Sequence, residues 1–297
     1  MLTRERYAAL CDARIFDPTS LPRALRERDR RSFAGADGNL LILAADHTAR
    51  GMLAVGDDPM ALADRYTLLN NLMRGLSVPG VDGVMASADI LEELAWLGAL
   101  DGHITIGTIN RGGLKGAVWE LDDPITAYDA EHIASSGLDA GKVMVRFDYT
   151  DPGSMRTMEM VGRVVTLMAD QELPLMVEPL PYLKDANGVA YLDPDDDHLI
   201  RAVAIASGLG SSSASIWLKI PATPRIADVA AASTLPIFLL GGDPGERWRE
   251  VFANWELAME QPTVRGLLPG RTLLYPPDGD VETSVAVAAR IVHGGGA

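Results

Sequence analysis

Leu40-Leu41-Ile42-Leu43-Ala44-Ala45-Asp46-His47-Thr48-Ala49-Arg50-Gly51 is the stretch that decides the fold. Its first six residues form an unbroken aliphatic run, the pattern of a strand buried on both faces of a parallel sheet. The turn after it separates the two common parallel architectures. A doubly wound nucleotide-binding sheet carries Gly-x-Gly-x-x-Gly after its first strand. Here the turn opens Asp46-His47-Thr48 and reaches a single glycine at Gly51. The reading therefore favours a barrel.

Seven further short runs recur along the chain: Gly80 to Ala86, His103 to Ile109, Lys142 to Phe147, Pro174 to Glu178, Ser215 to Ile220, Pro236 to Leu240 and, weakest, Val264 to Leu268. Helical patterns lie between them. Pro59 to Leu76 repeats apolar residues at Leu62, Tyr66, Leu69 and Met73, close to the helical period. Asp89 to Leu97, Ser154 to Glu172, Asp196 to Gly208, Arg247 to Glu260 and Asp280 to Val292 read as the others. Asp193-Pro194-Asp195 suits a helix start. Eight strands alternating with helices predict an α/β fold, a (β/α)8 TIM barrel over residues 36–297. A short helical N-terminal extension over residues 1–35 is expected to pack beneath it. The tail from His293 reads as a loose terminus.

The chain has 297 residues, 47% of them hydrophobic, which is enough for a full core. Its formal net charge of −15 repels nucleic acid and anionic membranes, and no basic stripe with interleaved aromatics offsets it. Cys11 is the one cysteine, so an internal disulfide is excluded and a reducing cytoplasm is expected. Neither a signal peptide nor an apolar run of about 18 residues is present, so no membrane partner is expected. Trp119, Trp248 and Trp255 are expected to pack helices or an interface, which leaves a homo-oligomer open.

Three ionisable residues interrupt apolar strands: Lys142 in Lys142-Val143-Met144-Val145, Glu178 in Leu175-Met176-Val177-Glu178-Pro179, and Lys219 in Ile216-Trp217-Leu218-Lys219-Ile220-Pro221. Burying an unpaired charge is expensive, and burial lowers an amine's pKa. A neutral amine attacks a carbonyl, so two lysines and a carboxylate among buried strands point to Schiff-base chemistry. Lys219 is the candidate nucleophile and Glu178 the candidate proton shuttle. Lys142 is a neighbouring charge that suppresses ionisation of Lys219. Asp46 is the candidate contact for a substrate hydroxyl or an amine. The blander alternatives are a structural ion pair with a spare lysine, and an Asx cap at Asp46. An imine is its own electron sink, so neither metal nor cofactor is required. A divalent-metal reading on Asp46, His47 and Glu178 stays open beside it.

Phosphate is the second thread. Leu239-Leu240-Gly241-Gly242-Asp243-Pro244-Gly245 follows the seventh strand and Leu268-Pro269-Gly270-Arg271 the eighth. Barrels often bind phosphate with those two loops. Gly241, Gly242 and Gly270 permit close backbone approach, and Arg271 adds a guanidinium. Arg146 shares its strand parity with Lys142, Met144 and Asp148, and is the candidate for a second anionic group. Asn110-Arg111-Gly112-Gly113 either touches substrate or is a plain loop. Ser207 to Ser215 reads as a turn, and Asp195 to Asp197 as a solvated acidic run.

Taken in order, Ala45-Asp46-His47-Thr48-Ala49-Arg50-Gly51, Lys142-Val143-Met144-Val145, Glu178-Pro179-Leu180-Pro181-Tyr182 and Trp217-Leu218-Lys219-Ile220-Pro221 resemble the metal-independent class I aldolases of the deoxyribose-phosphate and tagatose-1,6-bisphosphate aldolase superfamily. The resemblance runs from about residue 40 to about residue 275. It implies a (β/α)8 barrel and reversible aldol cleavage through an imine on Lys219. It also implies Glu178 as acid/base, Lys142 as its partner, Asp46 as a substrate or lysine contact, and phosphate at Gly241-Gly242 and Gly270-Arg271. His47, Arg146 and Asp148 depart from the family pattern, which points to a different substrate. A narrower resemblance is to actinobacterial aldolase-like proteins associated with myo-inositol breakdown. It implies 2-deoxy-5-keto-gluconate 6-phosphate as substrate. A guanidinium pairs well with a carboxylate, so Arg146 is the candidate for its acid end, and His47, at the end of the first strand, is a further candidate binding residue. A catalytically silent sugar-phosphate-binding barrel is the alternative of another class.

Overall fold

The computed structural model describes residues 1–294 apart from 34, 36 and 244. The end of the tail, residues 295–297, and position 244 of the glycine loop lie outside the described residues. Eight parallel strands close into a barrel: β1 (Leu40–Ala44), β2 (Gly83–Ala86), β3 (Ile104–Thr108), β4 (Ala140–Phe147), β5 (Leu175–Lys184), β7 (Ile216–Pro221), β8 (Ile237–Leu240) and β9 (Val264–Leu267). Each pairs with the next, β4 pairs with β5, and β9 returns to β1, so the sheet has no free edge. The short strand β6 (Ala190–Leu192) runs antiparallel to the end of β5 as a hairpin.

Helices surround the barrel: α3 (Arg65–Leu76), α4 (Ala88–Trp96), α5 (Ala130–Ser135), α6 (Pro152–Asp170), α7 (Asp196–Ser207), α8 (Ile226–Ala231), α9 (Trp248–Ala258), α10 (Arg271–Leu274) and α11 (Val281–His293). Before β1 come α1 (Arg4–Phe16) and α2 (Ser20–Glu27), with α2 packed on α4. Side-chain caps set several starts. Asp151 accepts from Gly153 N with Pro152 at the first position of α6, and Asp195 accepts from Asp197 N at the start of α7.

Strand parity divides the core. One large apolar cluster fills the space between strands and helices. A smaller one lies inside the barrel: Leu40, Ile42, Ile104, Ile106, Ala140, Met176 and Phe238, joined by Trp217 and Phe33. Trp217 stacks on Phe238 with ring centroids 5.1 Å apart, and Phe33 meets Trp217 edge-on at 5.0 Å. The register Met176↔Trp217 and Met144↔Glu178 carries this alternation across neighbouring strands. Counting up in twos from the apolar plug reaches Asp46, Thr108, Lys142, Glu178 and Lys219. The same period that builds the core therefore lifts five polar side chains towards the mouth.

Three elements differ from the sequence reading. The helix expected from Pro59 starts at Arg65, because Asp64 caps it by accepting from Tyr66 N. The fifth strand runs on to Lys184, since β6 supplies a hairpin partner that carries it past Pro179 and Pro181. The weak pattern of the eighth strand comes from Gly266, at φ +144°, where a Cβ would run into the Leu40 carbonyl. That glycine lets β9 close against β1.

Candidate active site

A cavity of about 230 Å³ opens at the C-terminal ends of the strands. Its floor is ionic. Lys219, from β7, holds Nζ 2.8 Å from Glu178 Oε1. Lys142, from β4, holds Nζ 2.5 Å from Glu178 Oε2 and 3.5 Å from Asp46 Oδ2. Thr108 Oγ1 donates to Asp46 Oδ2 at 3.2 Å, and Arg111 Nη2 pairs with the same oxygen. Asp46, Lys142, Glu178 and Lys219 are all buried. The other oxygen of Asp46, Oδ1, is buried with no hydrogen-bond partner.

The charges shift one another. Burial alone raises the Glu178 carboxyl, but the Lys142 and Lys219 ammonium groups outweigh it and hold Glu178 below the usual carboxylate range. Asp46 behaves likewise: burial opposes its charge, and Arg111, Lys142 and Lys219 hold it well below the usual range. Lys142 is pushed down to about 8, by burial first and then by Arg111, against the pull of Glu178 and Asp46. Burial pushes half-buried His47 down to about 3, so its imidazole is neutral at physiological pH. His47 Nδ1 has no partner.

Gly241, Gly242, Gly270 and Arg271 line one wall. Gly242 is left-handed at φ +69°, and a Cβ on Gly270 would meet His47 Cε1 at 2.8 Å. Glycine there keeps the imidazole and the loop in contact. Arg271 Nη1 donates to Ala54 O at 3.1 Å and to Asp243 Oδ2 at 3.2 Å, while its Nε has no partner. Tyr182 and Leu192 reach the cavity from the β5–β6 hairpin.

The structure thus brings together Asp46, His47, Lys142, Glu178, Lys219, Gly241, Gly242, Gly270 and Arg271. Arg146 is the exception. It has no exposed surface, and its Nε and Nη2 lie 2.9 and 2.8 Å from Asp123 Oδ2. Nη1 stands 3.4 Å from Glu120 Oε1, and Nη2 also meets the Glu120 carbonyl. These loop carboxylates take the guanidinium before it reaches the cavity. Asp148, expected on the same face, lies past the end of β4 and accepts from Thr150 N and Oγ1.

Two other arginines line the cavity instead, Arg50 and Arg111. Asn110 explains the second. Its amide donates to Met144 O at 2.6 Å and accepts from Met144 N at 2.7 Å, which fixes the loop after β3 against β4. Arg111 is then aimed inward. The Gly112-Gly113 pair beside it was the available signal, since a Cβ on Gly113 would strike Glu120 O and Asp123. The divalent-metal alternative meets carboxylates already taken by lysine and arginine. Among the described residues no group of three or more His, Cys, Asp or Glu side chains converges to hold a metal ion.

A closed parallel barrel with two lysines bridged by one carboxylate at its mouth defines a (β/α)8 TIM barrel with an ionic cluster at the C-terminal ends of its strands. More narrowly, the chain belongs to the Cgl0159-like family, whose model matches residues 38–289. A solved structure of Cgl0159 from Corynebacterium glutamicum is 43% identical, with 99% of this chain and 98% of that one covered at a TM-score of 0.95. An archaeal fructose 1,6-bisphosphate aldolase is similar in fold at 20% identity and a TM-score of 0.66, covering 93% of this chain and all of that one. Another archaeal fructose-1,6-bisphosphate aldolase, with its catalytic lysine bound to a carbinolamine intermediate, is 19% identical, with a TM-score of 0.64 and 92% and 99% covered. No curated protein matches the chain.

Proposed function

We propose that the chain is a class I aldolase, a metal-independent carbon–carbon lyase that cleaves a phosphorylated keto-sugar through an imine on Lys219. One observation carries the reading: a buried lysine amine 2.8 Å from a carboxylate at the floor of a cavity whose wall is two glycine loops. The archaeal neighbour whose catalytic lysine carries a carbinolamine supports it by analogy of fold.

The chemistry follows from the contacts. The Lys219 amine adds to the ketone carbon, and the carbonyl oxygen takes a proton to give a carbinolamine. Loss of water leaves the iminium. The hydroxyl on the carbon two bonds from the iminium carbon then gives its proton to a carboxylate, with Asp46 Oδ1 the acceptor that has no other partner. The carbon–carbon bond breaks, its electrons pass into the iminium, and the aldehyde leaves. Protonation of the enamine and addition of water return the ketone and free Lys219. Lys142 at about 8 exchanges protons near neutral pH, and Glu178 relays them across 2.5 and 2.8 Å.

The phosphate belongs at Gly241, Gly242, Gly270 and Arg271. The finer substrate is a keto-sugar acid phosphate, 2-deoxy-5-keto-gluconate 6-phosphate, cleaved to dihydroxyacetone phosphate and malonate semialdehyde. The inositol-type resemblance supports it. A tagatose or fructose bisphosphate is the runner-up, supported by the solved neighbours' own substrates.

A second reading has its own observation. Glu178 is fully matched by two lysines, as in a structural ion triad, and a silent sugar-phosphate-binding barrel needs nothing more. Incubation with dihydroxyacetone phosphate and borohydride, then peptide mass mapping, separates them. The expected result is a reduced adduct on Lys219. An adduct on Lys142 reverses the two lysines' roles, and no adduct with any ketose phosphate favours the silent barrel.

A further inference from the structure

Arg50 and Arg111 have no part in the reaction above, yet both are buried guanidinium groups that line the cavity. Arg111 Nη2 pairs with Asp46, but its Nε has no partner. Arg50 Nε donates to Gly113 O at 3.1 Å, its Nη1 stands 3.7 Å from Met144 Sδ, and its Nη2 is 3.7 Å from Glu120 Oε1. Thus Arg50 starts after β1, but its head lies against β3-loop and β4 atoms.

The charges on this wall do not balance. Arg50 and Arg146 share Glu120, Arg146 also takes Asp123, and Arg111 has only Asp46. Asp46 is shared, because Lys142 and Thr108 reach the same oxygen that Arg111 does. Glu120 is shared further, with Lys115 Nζ at 3.4 Å from its Oε1. Across the whole cavity lining, Arg50, Arg111, Lys219 and Arg271 outnumber Asp46 and Glu178, in a chain whose net charge is −15. Burying guanidinium groups without full compensation is costly unless something completes the pairing.

The barrel order sets where the excess lies. Gly241, Gly242, Gly270 and Arg271 follow β8 and β9. The heads of Arg50 and Arg111 sit by β3 and β4. Going round the barrel, β1 and β2 separate these walls one way, and β5 and β7 the other. Lys219 and Asp46 lie between them.

We propose that Arg50 and Arg111 form a second anion subsite, so that the cavity takes a sugar phosphate with a further anionic group at its far end. The proposal deepens the functional reading and rests on the first phosphate lying at the glycine wall, but not on imine formation. Arg146 is then a positioning residue: it holds Glu120 and Asp123, which hold the loop that carries Arg111. A carboxylate and a phosphate both satisfy this chemistry.

The test is calorimetric binding to the full chain with two matched pairs. 6-Phosphogluconate against sorbitol 6-phosphate differs by a carboxylate; fructose 1,6-bisphosphate against fructose 1-phosphate differs by a phosphate. Charge-assisted contacts predict that the parent binds the doubly anionic member of one pair about tenfold more tightly or better. The pair that shows the preference identifies the second anion. Arg111→Gln and Arg50→Gln should remove the preference while leaving the singly anionic member within about twofold. Arg111→Lys, which keeps the charge, should retain part of it. Parent affinities within about twofold in both pairs overturn the proposal without need of any variant. Equal losses for both members of a pair in the glutamine variants also overturn it. Borohydride trapping on the parent is scored separately. A retained preference with no trapping removes the aldolase reading and leaves the subsite standing, and trapping with no preference does the reverse.

Discussion

Asp139 at the foot of the barrel and Asp46 at its mouth are both buried carboxylates facing arginine, but they differ in what is left over. Asp139 Oδ2 accepts from Arg28 Nη2 at 2.7 Å, Thr105 N at 2.8 Å and Thr105 Oγ1 at 3.1 Å. Its Oδ1 accepts from Arg30 Nε at 3.1 Å and Nη2 at 2.9 Å. Both oxygens are used, and the contacts tie the segment after α2 to β3 and β4. At the mouth, Asp46 Oδ1, His47 Nδ1, Arg111 Nε and Arg271 Nε have no partner, and all four residues line one cavity. At the foot, Arg28 Nε is the comparable orphan. A buried polar group without a partner costs about 1–3 kcal/mol, so a cluster of them is retained where a ligand completes it. The foot is built to be finished; the mouth is built to be filled.

The sharpest break of this comparison is at Lys219. Lys219→Met should abolish borohydride trapping and turnover together while the chain stays folded, because it removes a charge from the cluster without removing a strand contact. Mass mapping and circular dichroism on the same sample decide it. Residual trapping at Lys142 would mean that the cluster holds two competent amines. Next in size is Glu178→Gln. It keeps shape but removes the relay between Lys142 and Lys219, and a general acid–base group typically contributes ~10²–10⁴-fold. Turnover should fall by that much while trapping persists more slowly. Normal turnover would make Glu178 the structural partner of the ion-triad reading.

At the foot the expected effect is on stability. Asp139→Asn leaves buried Arg28 without its carboxylate, and breaking a buried pair costs about 3–5 kcal/mol. Denaturant unfolding should show that loss, while trapping on Lys219 per folded molecule stays at the parent level. A variant as stable as the parent but defective in trapping would erase the distinction between the two ends.

These contrasts were only partly legible in the chain. The eight strands were, because each is an aliphatic run with turns on both sides, and Lys142, Glu178 and Lys219 then stood out as ionisable residues inside those apolar runs. The glycine loops were legible as well, and all of Gly241, Gly242, Gly270 and Arg271 reach the cavity. Partner choice was not. Parity gave Arg146 an inward direction, but not the Glu120 and Asp123 carboxylates that intercept it from a loop more than twenty residues earlier. Arg50 was hidden for a similar reason, since its head lies two strands away from its own backbone. The α8 and α10 helices, six and four residues long, are too short to show a period. The foot cluster joins Arg28 to Asp139 across the chain, and nothing local marks that pairing.

The smallest effect concerns Lys142 and is a matter of pH. Its native pKa is about 8, below the ordinary value of 10.5, because burial and Arg111 disfavour the ammonium. Between those values the unfolded chain holds a proton that the native chain has released. Stability therefore rises with pH across this window, by at most about 1.4 kcal/mol per pH unit from this one group. Below about pH 8 both states are protonated and the slope vanishes. Lys142→Met has no such proton, so the parent-minus-variant difference in unfolding free energy should climb from about pH 8 to about 10.5 and then level off. Subtracting the variant cancels the general repulsion of a chain with net charge −15. A difference curve flat across that window would mean that Glu178 and Asp46 keep Lys142 charged in full, and Lys142 would then have no proton to exchange near neutral pH. The mouth cluster would in that case be as finished, electrostatically, as the foot.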